Sequence, residues 1–72
     1  MSQQQIETIR NVRLMGKRAT LAFNKEREQY EVYKSGSVGV YSKLWGTGDS
    51  ETEALADAET QLEAYEDQAR QR

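Results

Sequence analysis

The chain has 72 residues and a net charge of −2, and it contains no cysteine, histidine or proline. Without cysteine and histidine it cannot form disulfides, thiolate or histidine nucleophiles, or most transition-metal sites. We therefore expect one small domain that is not an enzyme and binds no metal or cofactor, and whose folding buries only about 60% of the surface of the unfolded chain.

The hydropathy of the chain bears on the cellular compartment in which we expect the protein. No apolar segment approaches the roughly 18 residues of a membrane-spanning helix. The first residues also lack the apolar stretch that follows a basic segment in export signals. We therefore expect a cytoplasmic protein without a membrane partner.

Charge is segregated along the chain. Residues 1–48 carry eight basic and four acidic side chains, whereas residues 49–69 carry eight acidic side chains and no basic one. The helix macrodipole favours acids in the first turn only, so it does not explain the acids farther along. We interpret the surplus as a field that attracts a basic patch on a partner protein, or as charge that solubility alone requires.

The first half of the chain predicts a β-hairpin. Residues 1–5 are polar and expected to be disordered, and alternation of apolar residues begins near Ile6. Gly16-Lys17 fits a two-residue type II′ turn that pairs Leu14 with Ala19. Both of these apolar residues then lie on one face of the sheet.

A second hairpin is predicted at Ser35-Gly36-Ser37, after a third strand from Tyr30 to Lys34. A three-residue loop with its glycine in the left-handed conformation pairs Val32 with Val40 and turns the apolar residues of both strands inward. The predicted sheet therefore covers residues 6–45 as a four-stranded antiparallel β-meander.

A long helix is predicted over residues 50–71. Leu55, Leu62 and other apolar residues recur at spacings of three and four, which places them on one helix face. Ser50 and Glu53 form a capping-box pattern at its start. We therefore expect a single α+β domain, a two-layer sandwich with the helix packed across one face of the sheet. Its core would consist of the inward apolar residues Val12, Leu14, Leu21, Phe23, Tyr30, Val32, Val38, Val40, Leu44, Leu55, Ala58, Leu62 and Tyr65.

The segment Gly46-Thr47-Gly48-Asp49 is interpreted as a break between the sheet and the helix. A glycine-rich loop before a helix could also bind phosphate. This one lacks the lysine of a phosphate-binding loop, and Glu51 and Glu53 would repel an anion. We therefore expect a plain turn.

One face of the predicted sheet has no helix to cover it. Its outward aromatic and basic side chains would be Arg13, Tyr33, Tyr41, Lys43 and Trp45. Such a mixture suits a protein interface, including one between two copies in a homodimer. It also suits the stacking of nucleic-acid bases, which is the less favoured partner, or a solvated face of ordinary strand residues.

The exposed face of the helix is the second candidate surface, formed by Asp57, Glu59, Glu63 and Asp67. A Mg²⁺ site or acid–base catalysis needs carboxylates that converge in a pocket, and one exposed helix face does not supply one. We expect a docking face or a solvated acidic face. The helix also outlasts the strands in length, so its last turns, around Ala69, would extend beyond the sheet.

The junction between sheet and helix carries two local resemblances. Gly48-Asp49-Ser50 with Glu53-Ala54-Leu55 resembles the turn-and-helix segment of HicB-type antitoxin domains, which would imply an antitoxin-like regulator. Gly46-x-Gly48-x-Ser50 before a helix is similar to the last third of double-stranded-RNA-binding domains, where a basic helix start grips phosphate. Glu51 and Glu53 occupy that place here. We assign the chain to neither family.

These observations favour a small, non-catalytic protein-interaction module. It would be an inhibitor or adaptor of the kind that phages and mobile elements encode, and it would bind a host protein. The alternatives are a nucleic-acid-binding module that uses the sheet face and an antitoxin-like regulator.

Overall fold

The fold is α+β, as predicted. A computed structural model describes residues 5–70, with side chains up to Gln68, so the expectations for residues 1–4, residue 71 and the Ala69 side chain lie outside it. Four antiparallel strands form one sheet in the order β1-β2-β3-β4, and a long helix packs on one face. The elements are β1 (Ile6–Leu14), β2 (Lys17–Asn24), β3 (Gln29–Lys34), a 3₁₀ turn (Tyr41–Lys43), β4 (Leu44–Gly48) and α1 (Glu51–Arg70).

The first hairpin turns one residue earlier than predicted. Met15 and Gly16 both have positive φ, of 51° and 79°, which is the geometry of a type I′ turn and matches the twist of the strands. Leu14 therefore pairs with Lys17, and the predicted pairing of Leu14 with Ala19 is wrong. The register differs by two residues, so the same side chains still face the helix.

The second predicted hairpin is wrong, because β4 starts later. A turn does close at Gly36, where the N–H of Ser37 donates to the carbonyl of Lys34 at 2.9 Å. The chain then continues as a loop over residues 35–43 and pairs with β3 only from Leu44 onward. Val32 consequently pairs with Gly46 and not with Val40. We call residues 35–43 the covering loop.

Gly46 and Gly48 were predicted to interrupt the secondary structure, but they lie in strand β4 and pack against the helix. A Cβ atom added to Gly46 would lie 2.7 Å from the Cα of Ala58 and 2.8 Å from the carbonyl oxygen of Ala54. One added to Gly48 would lie 2.6 Å from the Cβ of Glu53. Only glycine allows so close an approach of backbone to backbone. The glycine pair is therefore a packing surface for α1.

The start of α1 is capped nearly as predicted. The Oγ of Ser50 accepts the N–H of Glu53 at 3.2 Å, and the Oε1 of Glu53 accepts the N–H of Asp49 at 3.0 Å. The carboxylate thus reaches one residue farther back than in a capping box. These bonds satisfy two backbone donors at the junction between sheet and helix.

The core lies between α1 and the sheet and is smaller than predicted. Its buried apolar members are Leu14, Ala19, Leu21, Val32, Ala54, Ala58 and Leu62, flanked by the partly buried Val12, Tyr30, Trp45 and Leu55. Val40 and Tyr65 were expected in the core, but they are 48% and 69% exposed. Val40 lies on the covering loop, and Tyr65 lies beyond Leu62, the last buried helix residue among the described side chains.

Candidate binding cleft

The predicted open face of the sheet is closed. Tyr33 lies on the face opposite α1 and is fully buried, so the expectation that it is exposed there is wrong. The covering loop causes this burial, since the Tyr41 hydroxyl lies 3.5 Å from the Nδ2 of Asn24, and Gly39 lies next to Ile6. The face beneath the loop is therefore part of the interior.

A buried polar network occupies this interior. The Oε2 of Glu31 accepts hydrogen bonds from Gln29 Nε2 at 2.8 Å and Asn24 Nδ2 at 3.2 Å, and its Oε1 accepts one from the Tyr33 hydroxyl at 2.7 Å. Burial, followed by the bond to Glu31, raises the pKa of Tyr33 well above its ordinary value. No buried side-chain nitrogen or oxygen in the described part of the chain lacks a partner. The network thus stabilises the sheet beneath the loop and leaves no group free for a ligand.

The other predicted residues of this face do not form one surface. Tyr41 is half exposed on the covering loop, where the Arg27 guanidinium carbon lies 5.2 Å from its ring centre. Lys43 belongs to the same loop, and Arg13 is exposed on β1 at the far edge of the sheet. Trp45 packs against the core on the opposite, helix-facing side. The predicted combination of aromatic and basic residues is therefore dispersed.

The four acidic residues predicted to form one exposed face of α1 also do not lie on a single surface. Glu59, Glu63 and Asp67 are exposed and follow one another at intervals of four, so they form one row that we call the acidic ridge. Asp57 is half-buried, and its Oδ2 accepts the backbone N–H of Thr47 at 3.0 Å, so it joins the helix to β4. No group of three or more potential ligand side chains within residues 5–68 could hold a metal ion.

The structure brings together a different set of residues at one end of the sheet. A cleft of about 630 Å³ opens there between the sheet and the part of α1 that carries Leu62 and Tyr65. Its apolar floor consists of Trp45, Leu62 and Tyr65, and its basic rim consists of Lys17, Arg18 and Lys34. This volume is within the range of ligand-binding clefts.

Three local features create the cleft. Trp45 is the extra residue of a bulge, between the pairs Val32–Gly46 and Tyr33–Leu44, and it packs towards the helix. The helix continues past Leu62, its last buried residue among the described side chains, and holds the exposed Tyr65 at the opening. The rim lies where β2 starts and β3 ends, and there the Ser35 N–H donates to the Arg18 carbonyl at 3.2 Å.

The rim is rich in positive charge that the chain itself does not neutralise. Lys17 Nζ lies 4.0 Å from Glu66 Oε2, a long ion pair between half-exposed side chains. Arg18 and Lys34 have no carboxylate within ion-pair distance in the described part of the chain. Lys34 pairs with the core residue Ala19, so its unneutralised charge lies on the helix-facing side beside the apolar side chains. Arg18 precedes Ala19 by one residue, so it contributes its backbone to the rim while its side chain points to the other face. The arrangement suits a ligand that carries both negative charge and an apolar group.

Sequence analysis identified one member of this site. Trp45 was named as a candidate, but Tyr65 and Leu62 were assigned to the core and the rim residues to no site. The turn residues Gly16 and Gly36 mark the strand ends where the rim lies, and the predicted helix continues past Leu62 to Tyr65. Those two signals together could have located the cleft.

Comparison with known proteins found no matching family model, no matching curated protein and no matching solved structure. The helix in the described part of the chain lacks an apolar stretch long enough to cross a membrane.

Proposed function

We propose that the protein is a small, non-catalytic interaction module that binds a partner protein through the cleft and acts as an inhibitor or adaptor. The observation that supports this function is the apolar floor of Trp45, Leu62 and Tyr65 beside the unneutralised charge of Lys34 and the weakly paired charge of Lys17. Tryptophan, tyrosine and arginine are the residue types that dominate the energetics of protein interfaces. Concave apolar surface bordered by charge is also typical of such interfaces.

The chemistry of the cleft supports binding over turnover. Its lining offers cations, a serine and apolar groups. A serine needs an adjacent base before it can act as a nucleophile. Glu66 is the carboxylate next to the rim, and it pairs with Lys17. The lining therefore favours recognition of a ligand and not its chemical conversion.

The acidic ridge supports an adaptor role. Glu63 and Tyr65 are two residues apart, so they point about 200° apart around an ideal helix. The ridge and the cleft therefore face different directions. One protein could occupy the cleft while the field of the ridge attracts a second basic surface.

Affinity capture with a matched pair of variants tests the proposal. Tagged wild type, Lys34→Glu and Lys43→Glu proteins are incubated with lysate of the source organism, and bound proteins are identified by mass spectrometry. Lys34 lies on the rim and Lys43 on the covering loop, so both variants change charge equally but only one alters the cleft. We expect a partner that binds wild type and Lys43→Glu and is lost with Lys34→Glu. Absence of any protein with this pattern contradicts the proposal.

Nucleic-acid binding is the second candidate function. Trp45 and Tyr65 beside Lys17 and Lys34 could stack a base and bind its phosphates. Titration of a labelled single-stranded oligonucleotide at low salt tests it, with the same two variants. Binding that Lys34→Glu abolishes and Lys43→Glu preserves would support this function, and absence of binding would reject it.

A further inference from the structure

We infer that the cleft recognises an acidic peptide segment in which carboxylates flank one large apolar side chain. The inference rests on the proposed function, since it names the chemistry of the partner at the same site. The apolar side chain is the anchor and lies on the floor of the cleft. The flanking carboxylates pair with the basic rim.

The floor requires an apolar anchor. Trp45 is half-buried and Tyr65 is 69% exposed, so much aromatic surface faces water within one concave site. Leu62 closes the floor between them and is itself buried. An apolar or aromatic side chain placed there removes this surface from water, which favours binding.

The rim requires negative charge near that anchor. On the helix-facing side, Lys34 has no carboxylate partner in the described part of the chain, and the pair between Lys17 and Glu66 is long. The rim residues lie on adjacent strands, β2 and β3, about 4.8 Å apart. An extended peptide advances about 3.3 to 3.6 Å per residue, so carboxylates one or two residues from the anchor can reach the rim.

A second copy of the chain fits the cleft less well than a flexible peptide does. Its exposed acids Glu63 and Asp67 lie beside one exposed apolar side chain, Met15, which is 40% exposed on the first hairpin turn. These groups belong to a folded helix and a folded turn, so they cannot adopt the extended spacing of a peptide that spans both floor and rim. Light scattering tests this occupant directly.

The carboxylate of Glu66 also disfavours a nucleic acid. It lies 4.0 Å from Lys17 Nζ at the edge of the rim, so it repels a polyanion that continues past the cleft. A short acidic segment can end at the rim and avoid this repulsion.

The fluorescence of Trp45 provides a direct test, because it is the single tryptophan of the chain and lies in the cleft. The probe is a short synthetic peptide with a central phenylalanine flanked on both sides by aspartate and glutamate. We expect a saturable change in Trp45 emission that weakens with added salt. Replacing the phenylalanine by serine, or the acids by lysine, should abolish it.

Protein variants locate the binding. Lys34→Glu should weaken peptide affinity about tenfold or more, whereas Lys43→Glu should leave it nearly unchanged. Tyr65→Ser removes an exposed side chain, so it should lower affinity in a folded protein, with Gln68→Ser as the matched control on the same helix. Circular dichroism confirms that each variant is folded.

Four results would overturn the inference. They are no saturable emission change, an equal response to the serine peptide, an equal loss with Lys34→Glu and Lys43→Glu, and tighter binding of an oligonucleotide at the same salt. A dimer in light scattering that Tyr65→Ser abolishes would assign the cleft to a second copy and overturn it as well. Affinity capture tests the proposed function separately. If a partner is captured but the peptide does not bind, the protein is still an interaction module, and only the inference of an acidic segment with an apolar anchor is refuted.

Discussion

The hydroxyl of Tyr33 donates a hydrogen bond to Oε1 of Glu31 at 2.7 Å, and both side chains are fully buried. They lie on the sheet face opposite α1, between the sheet and the covering loop. A buried carboxylate depends on its donors, because losing one leaves an acceptor without a partner in a site that excludes water. This pair therefore links the folding of the covering loop to the stability of the sheet.

Removing the Tyr33 hydroxyl should destabilise the protein. Tyr33→Phe leaves the Oε1 of Glu31 without this donor, at an expected cost of about 1–3 kcal/mol in the free energy of unfolding. Tyr41→Phe is the matched control, because its hydroxyl is half exposed and makes only a long contact of 3.5 Å. Urea denaturation of wild type and both variants measures the difference. Equal stability of all three proteins would show that the buried bond contributes nothing.

Tyr33 should also cause the free energy of unfolding to decrease at alkaline pH. The folded state raises the pKa of Tyr33 above its unfolded value of about 10, so the folded protein retains a proton that the unfolded chain loses. This contribution is fully present below about pH 10 and is lost as the pH rises further. We expect the urea midpoint of wild type to fall more between about pH 8 and pH 11 than that of Tyr33→Phe.

The comparison between these two proteins isolates Tyr33. Other tyrosines and lysines titrate in the same range, but they are present in both proteins and cancel in the difference. Parallel pH dependences of wild type and Tyr33→Phe would contradict the prediction.

Gly46 should tolerate no side chain. Gly46→Ala places a Cβ atom against the backbone of Ala54 and Ala58, which a side-chain rotation cannot relieve, so we expect a loss of about 3 kcal/mol in the free energy of unfolding. Gly16→Ala is the matched control, because its φ of 79° strains an alanine while the surrounding space is empty. Its expected cost is about 1 kcal/mol. Thermal denaturation measures both, and a smaller effect at Gly46 than at Gly16 would contradict the close approach of helix and sheet.

Local patterns in the sequence predicted the elements better than their arrangement. The spacing of Leu55, Ala58 and Leu62 and the cap at Ser50 predicted the helix, because both signals act within a few residues. The order of the strands also followed from short connections. The alternation of Val38 and Val40 suggested a strand, yet these residues lie on the covering loop. Alternation alone does not determine which backbone pairs with β3.

The site was harder to predict than the fold because its contacts are distant in sequence. Glu31 alternates with Tyr30 and Val32, which correctly places it on the face opposite the helix, but nothing local indicates that a later segment buries it. The cleft combines a bulge at Trp45 with a helix residue, Tyr65, and strand ends far away in the chain. The glycines were interpreted as a plain turn, whereas their place in β4 and their packing against Ala58 required the structure.

The acidic ridge should accelerate association with a basic partner without determining the stability of the complex. Glu59, Glu63 and Asp67 lie beyond the first helical turn and are exposed, so their field extends into solvent. Replacing them by Gln, Gln and Asn should lower the association rate about tenfold at low salt and much less at physiological ionic strength, where screening acts over about 8 Å. Stopped-flow mixing with a captured protein that carries a basic surface measures the association rates of wild type and variant at two salt concentrations.

Asp57 provides the control for this experiment, because it was grouped with the ridge but lies apart from it. Its carboxylate accepts the Thr47 N–H, and Asp57→Asn removes a charge while its side-chain oxygen can still accept that bond. We expect an association rate close to that of wild type. Asp57→Ala should instead lower the free energy of unfolding by about 1 kcal/mol, because the Thr47 N–H loses its partner. If Asp57→Asn slows association as much as the ridge variant does, the effect comes from total charge and the ridge is not a docking surface.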